Sequence, residues 1–192
     1  MPLDYPDPAL ADERIRLRPW RLDDGDLVAE VALEDPCVVA GTSVPADPTT
    51  AAVEAYIHRQ WSRQESGQGL SLVLANPDDG RGLGNIVALH RMQPGVVGIG
   101  YWLAPRARGA ALARRAVVLL SDWLLARPDT FRVEAYVVPG NAASVRTLEG
   151  AGFLREGLLR SYLQLRNTRA DALVLSRVTD PQTRAADEVC RG

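Results

Sequence analysis

The chain contains no lysine: all 22 of its basic residues are arginine. It therefore carries no side-chain amine, and chemistry at a lysine of its own is excluded. Cysteine is scarce, with only Cys37 and Cys190. A disulfide framework is not expected, and no Cys/His cluster has metal-ligand spacing. No apolar run approaches the roughly 20 residues that cross a bilayer. The start, Met1-Pro2-Leu3-Asp4-Tyr5-Pro6-Asp7, lacks the basic segment and apolar core of a secretory signal. A cytoplasmic location is the default expectation. The formal net charge is −2, which gives no argument for bulk nucleic-acid binding. A local basic groove would need only a patch.

What is present is ordinary globular composition, 46% apolar and 24% charged over 192 residues, enough for one domain with a sizeable core. Residues 1–12 hold three prolines and read as a flexible arm. Residues 13–178 read as a single domain and 179–192 as a flexible polar tail. A first strand is expected at 13–18. Asp23 or Asp24 should cap a helix carrying Leu27, Val28, Val31 and Ala32, which Pro36 ends. Residues 36–48 read as a loop. A second helix runs from Thr49 to Glu65 with the stripe Val53, Tyr56, Ile57 and Trp61.

Three strands follow, at about 70–76, 83–91 and 96–104, separated by Asn76-Pro77-Asp78-Asp79-Gly80 and Gln93-Pro94-Gly95. A long helix buries Leu112, Ala116, Leu119, Leu120 and Trp123 and stops before Pro128. Then come a strand at 131–138, a short helix at 142–151, and strands at about 153–165 and 171–178 that turn at Asn167-Thr168-Arg169. This order predicts an α/β (α+β) fold, a mixed sheet with helices on both faces.

Two segments carry the chemistry. In Tyr101-Trp102-Leu103-Ala104-Pro105-Arg106-Ala107-Arg108-Gly109-Ala110-Ala111 a strand ends, a proline follows, and a glycine-bearing turn opens a helix. The first turn of a helix has unpaired N–H groups and a partial positive charge, so it receives anions. Gly109, Ala110 and Ala111 leave the backbone unobstructed, and Arg106 and Arg108 are cations suited to phosphate. In the second segment, strand 131–138 breaks at Pro139-Gly140. Asn141 can cap the next helix, and Gly152 can end it left-handed before Phe153.

These segments resemble the GCN5-related N-acetyltransferases (GNAT), most closely their RimJ/RimL-type branch. The quoted residues are Arg106, Gly109 and Ala111 in the turn, Asn141, Ser144, Gly152 and Phe153 downstream, and the strand Gly100-Tyr101-Trp102-Leu103. The opening Ile15-Arg16-Leu17-Arg18-Pro19-Trp20 is similar to that branch's first strand. The resemblance covers roughly 13–178. It implies a mostly antiparallel central sheet of about seven strands and transfer of an acetyl group from acetyl-CoA to a primary amine. The turn of Arg106, Arg108, Gly109, Ala110 and Ala111 would hold the pyrophosphate. The Leu103 backbone would pair with the pantetheine arm and help to bind the oxyanion. Asn141, which a capping role also explains, would contact the pantetheine arm. Ser144 would protonate the departing thiolate, unless it only satisfies backbone N–H groups at its helix start.

The chain departs from the branch at two positions. Leu148 stands where many relatives have a tyrosine, and Gly98 where a glutamate is common. The general base stays open between His90, Glu134 and none: His90 reads first as an incidental strand-end histidine, and Glu134 as a strand carboxylate facing solvent. The acceptor pocket is expected between the N-terminal helices and the last hairpin. Glu34, Asp35, Tyr56, Trp61 and Tyr162 are its candidate lining, suited to a cationic amine. The expected partners are a small amine or a protein N-terminus and, as an open alternative, a second copy of the chain; no metal, nucleic acid or membrane is expected. A non-catalytic CoA-binding module is the competing class. A P-loop nucleotide binder is disfavoured, because Gly109-Ala110-Ala111 replaces Gly-Lys-Ser/Thr.

Overall fold

Alternation and apolar runs build a seven-stranded sheet in the order β1-β2-β3-β4-β5-β7-β6. The computed structural model describes residues 3–179. The strands are β1 (Arg16–Pro19), β2 (Gly69–Ala75), β3 (Gly82–His90), β4 (Val96–Leu103), β5 (Arg132–Val137), β6 (Leu154–Gln164) and β7 (Arg169–Val178). Every neighbouring pair is antiparallel except β4 and β5. Strand β2, Gly-Leu-Ser-Leu-Val-Leu-Ala, is buried along its whole length.

The helices are α1 (Gly25–Glu34), α2 (Pro36–Gly41), α3 (Thr50–Glu65), α4 (Leu112–Leu125) and α5 (Ala142–Gly150). They cover both faces of the sheet, as expected. Tyr56 of α3 packs edge-on against Trp20, and Trp102 of β4 packs at a tilt against the same indole. On the opposite face, Ser121 and Asp122 of α4 bind Arg177 of β7. Helix α5 ends in a Schellman motif: Phe153 N–H donates to Leu148 O and Gly152 N–H to Glu149 O, with Gly152 at φ +85°.

Three expectations need correction. Pro36 ends α1 but also begins α2, inside what reads as a loop. Proline suits the first helical position, which needs no N–H partner, and the Asp35 carboxylate accepts the Val38 N–H as cap. The buried face of α4 is rotated from the expected one. Val117, Ser121 and Leu124 are buried with Leu112, Ala116 and Leu120, whereas Leu119 and Trp123 are half-buried. Residues 3–12 lie against the domain: Leu3 is buried, and Leu10 O accepts the Leu17 N–H at 2.8 Å. Beyond residue 179 the expected tail, with Cys190, lies outside the described residues; Cys37 is exposed and free.

Candidate active site

The one parallel pairing among the described residues frames the candidate site. Strands β4 and β5 pair only at Val96–Arg132, Val97–Val133 and Gly98–Glu134. Beyond that rung β4 continues to Leu103 and β5 to Val137 without pairing to each other. At its two ends β4 bonds to β3 through Val96 O, which accepts the Arg91 N–H, and through the Ala104 N–H, which donates to Leu83 O. Antiparallel alternation then turns the backbone groups of Tyr101 and Leu103 toward the opened gap. An extended chain of amides laid in this gap would complete both ladders.

The turn at the end of β4 has the shape its sequence predicts. A 3₁₀ turn spans Pro105–Ala107. Gly109 sits at φ +82° and Ala111 at φ +58°, the second as the residue preceding α4. Backbone N–H groups turned inward by such a loop can form an anion-binding concavity, here continuous with the free N–H groups that start α4. A Cβ on Gly109 would meet nothing within 4 Å.

The two arginines of the turn are engaged by the protein itself. Arg106 Nε donates to Glu30 of α1 at 2.9 Å, and its Nη2 to Gly82 O at 2.7 Å. Arg108 pairs with Asp35 and donates to Leu103 O at 3.0 Å. Burial opposes ionisation of Asp35, but Arg108 and the Val38 N–H outweigh it and hold the carboxyl below its ordinary range. These side chains tie the turn to α1.

Across the gap stands a hydroxyl pair. Tyr101 of β4 places its phenol oxygen 2.8 Å from Ser144 Oγ on α5. Asn141 caps that helix by accepting the Ser144 N–H at 3.0 Å. Burial pushes the Tyr101 phenol above its ordinary range, against its hydrogen bonds with Ser144 and Thr147. It keeps its proton at neutral pH. Leu148 is fully buried, so its helix position adds to the core. A phenol reaches Ser144 from strand β4. Sequence reading missed this role of Tyr101; strand alternation, which puts Tyr101 and the buried Trp102 on opposite faces, is the signal that could have found it.

Of the base candidates, His90 is an exposed residue opposite Val97, at the closed end of the strand split. Glu134 occupies the last paired rung and is buried, which corrects the solvent-facing alternative. Its carboxylate takes Arg91 Nε at 3.2 Å, Arg132 Nε at 3.0 Å and the Tyr136 hydroxyl at 2.8 Å. Gly98 explains the arrangement: a Cβ there would lie 2.2 Å from the Arg91 guanidinium. The missing side chain on β4 makes room for the arginine that neutralises a carboxylate on β5.

A cavity of about 600 Å³ opens beside β4, between α3, residues 40–43 and the β6–β7 turn. This is where the acceptor pocket was expected, but among the suggested residues only Tyr56 lines it. Asp35 is held by Arg108, Trp61 donates to Trp20 O at 2.9 Å, and Tyr162 packs at a tilt against Tyr136, ring centres 4.8 Å apart. Glu34 is exposed at the end of α1.

Fold and site together define a class: a two-faced α/β protein whose sheet parts between the two strands that run parallel among the described residues, with a helix start at the open end. The chain belongs to the GNAT acetyltransferase domain family, whose profile, "Acetyltransferase (GNAT) domain", matches residues 14–154. It is similar to the probable N-acetyltransferase YjcK of Bacillus subtilis, 36% identical over 78 residues, 41% of this chain and 43% of that protein. The chain thus matches less than half of YjcK's length. The uncharacterized N-acetyltransferase p20 of Bacillus licheniformis is 27% identical over 169 residues, 87% of this chain and 94% of that one. Among solved structures, Mycobacterium smegmatis RimJ in complex with CoA-disulfide shares the fold, with TM-score 0.75 and 24% identity over 93% of this chain and 89% of that chain.

Among the described residues, no helix is long and apolar enough to cross a membrane.

Proposed function

We propose that the chain is an acetyl-CoA-dependent N-acetyltransferase, with residues 13–178 as the catalytic unit, acting in the cytoplasm on a primary amine of a small molecule or a protein N-terminus. The observation that carries the reading is the parting of β4 and β5 after the Gly98–Glu134 rung, with the Gly109–Ala111 turn at its open end. The pantetheine amides pair with the edge of β4 at Tyr101 and Leu103. The pyrophosphate is held by the N–H groups of Gly109, Ala110, Ala111 and the first turn of α4. Arg106 and Arg108 shape that turn. The neutral amine attacks the thioester directly, and an N–H of the opened β4 edge stabilises the oxyanion. Ser144, hydrogen-bonded to Tyr101, delivers a proton to the departing thiolate and regains one from water, while the proton that the attacking nitrogen loses passes to solvent. Asn141 fixes the helix that carries Ser144.

The test is isothermal titration with acetyl-CoA followed by thiol release against a panel of amines. Binding together with turnover is expected. Tight binding with no turnover on any amine would leave a CoA-binding module. Absence of binding overturns the reading. Solution scattering reports whether two copies associate.

The hydroxyl pair makes a separate prediction. Ser144→Ala should lower the high-pH plateau of kcat by about 10²-fold, the low end for a general acid. Tyr101→Phe should lower it less, because the Ser144 hydroxyl itself remains. A plateau unchanged in Ser144→Ala removes Ser144 from the proton path.

A further inference from the structure

Among the described residues, no carboxylate lines the cavity beside β4. Its charged lining residues are Arg63 and Arg166. Arg166 is consumed in the fold, with Nη2 on Val44 O at 2.9 Å and Nε on Val39 O at 3.4 Å. Arg63 is different. Gln60, almost fully buried, donates to Tyr56 O at 3.0 Å and accepts the Arg63 Nε at 3.2 Å. That clamp aims the guanidinium but takes only its Nε. Its two terminal nitrogens have no partner among the described residues.

The same cavity holds a neutral acceptor atom. Asn85 is buried, and its amide nitrogen donates to Ser71 Oγ at 2.9 Å and Leu72 O at 3.0 Å. Those partners fix the amide's orientation, because Leu72 O can only accept. The Asn85 Oδ1 has no donor among the described residues. The lining therefore presents a fixed guanidinium fork and a fixed amide oxygen, beside Gly100, Tyr101 and Trp102 of the parted strand.

We infer that the acceptor is an anionic amine: a primary amine carrying a carboxylate or phosphate group, the anion taken by Arg63 and the amine N–H by Asn85 Oδ1. A guanidinium offers the paired donors that such oxyanions accept. A polyamine or another polycation would meet only like charge. This inference deepens the acetyltransferase reading and rests on it for the identity of the cavity.

The experiment uses the full chain with saturating CoA. The probes are N-acetylated Ser-Glu-Ala amide, the matched Ser-Gln-Ala and Ser-Arg-Ala amides, and N-acetylglutamate, with Trp fluorescence as the binding signal. The unacetylated forms are then offered with acetyl-CoA, and kcat/KM is compared. The acidic probes should bind about tenfold tighter than the Gln peptide, the Arg peptide weakest, with a preference that shrinks as salt rises. Arg63→Gln should collapse the acidic-to-neutral ratio toward one, and Arg63→Lys should restore part of it. Retained acetyl-CoA binding in both variants shows that they fold. N-acetylglutamate against the acidic peptide separates a free amino acid from a chain N-terminus as the source of the anion.

Equal binding of acidic and neutral probes overturns the inference, as does a ratio unmoved by Arg63→Gln. Selective binding lost in Arg63→Gln, with no turnover of any amine, upholds the anionic site and overturns the catalytic reading instead.

Discussion

Gly109→Glu is expected to weaken acetyl-CoA binding by about 100-fold while leaving the fold intact. Gly109 stands at φ +82°, where a residue with a Cβ is disfavoured by about 1–2 kcal/mol. The new carboxylate would enter the N–H concavity at the start of α4, where it competes with phosphate for the same donors and repels it. About 3 kcal/mol in all corresponds to roughly 100-fold in affinity. Open space around the Gly109 Cβ position argues against a packing defect. Gly109→Ala separates the contributions: it carries the backbone strain without the charge, so it should lose the smaller part. Isothermal titration of both variants reads the difference. If Gly109→Glu binds acetyl-CoA as the parent does, the turn is not the pyrophosphate site.

Much of this turn was legible, because its determinants are local. A strand, a proline, a glycine and a helix within a dozen residues dictate both the left-handed backbone and the anion-receptive helix start. The Asn141 cap and the Gly152 helix end were legible for the same reason. What could not be read was the engagement of Arg106 and Arg108. Their partners Glu30 and Asp35 lie more than 70 residues earlier in the chain, and no local rule says which turn α1 will meet. Glu134 misled in another way. Strand carboxylates face solvent unless paired, and its pairing needed Arg91 in the space that Gly98 leaves. The Tyr101–Ser144 contact spans 43 residues and joins a strand to a helix. Alternation gives the face of the tyrosine, but only the packing of α5 gives its partner.

Asp24→Ala should be among the most destabilising single changes in the molecule. Arg18 and Asp24 form a two-pronged pair at 2.8 and 2.7 Å, with side-chain exposures of 9% and 3%. Arg18 also donates to Gly80 O at 2.8 Å, and Asp24 accepts the Arg21 N–H at 2.8 Å. The pair thus joins β1, the entry to α1 and the β2–β3 turn. Removing the carboxylate leaves a buried guanidinium without its counter-charge, a loss of about 3–5 kcal/mol. For a chain of this size that lowers Tm by about 6–20 °C. Replacing both partners by apolar residues, Arg18→Met with Asp24→Leu, should recover most of the loss, because no charge is then stranded. Thermal denaturation of the two variants makes the comparison, and a shift below about 2 °C in Asp24→Ala would show that the pair does not hold these elements. The consequence reaches the site through α1, which carries Glu30 and is followed directly by Asp35. Loosening its entry loosens the ties on Arg106 and Arg108, so Asp24→Ala should also weaken acetyl-CoA binding, and the apolar pair should restore stability and affinity together.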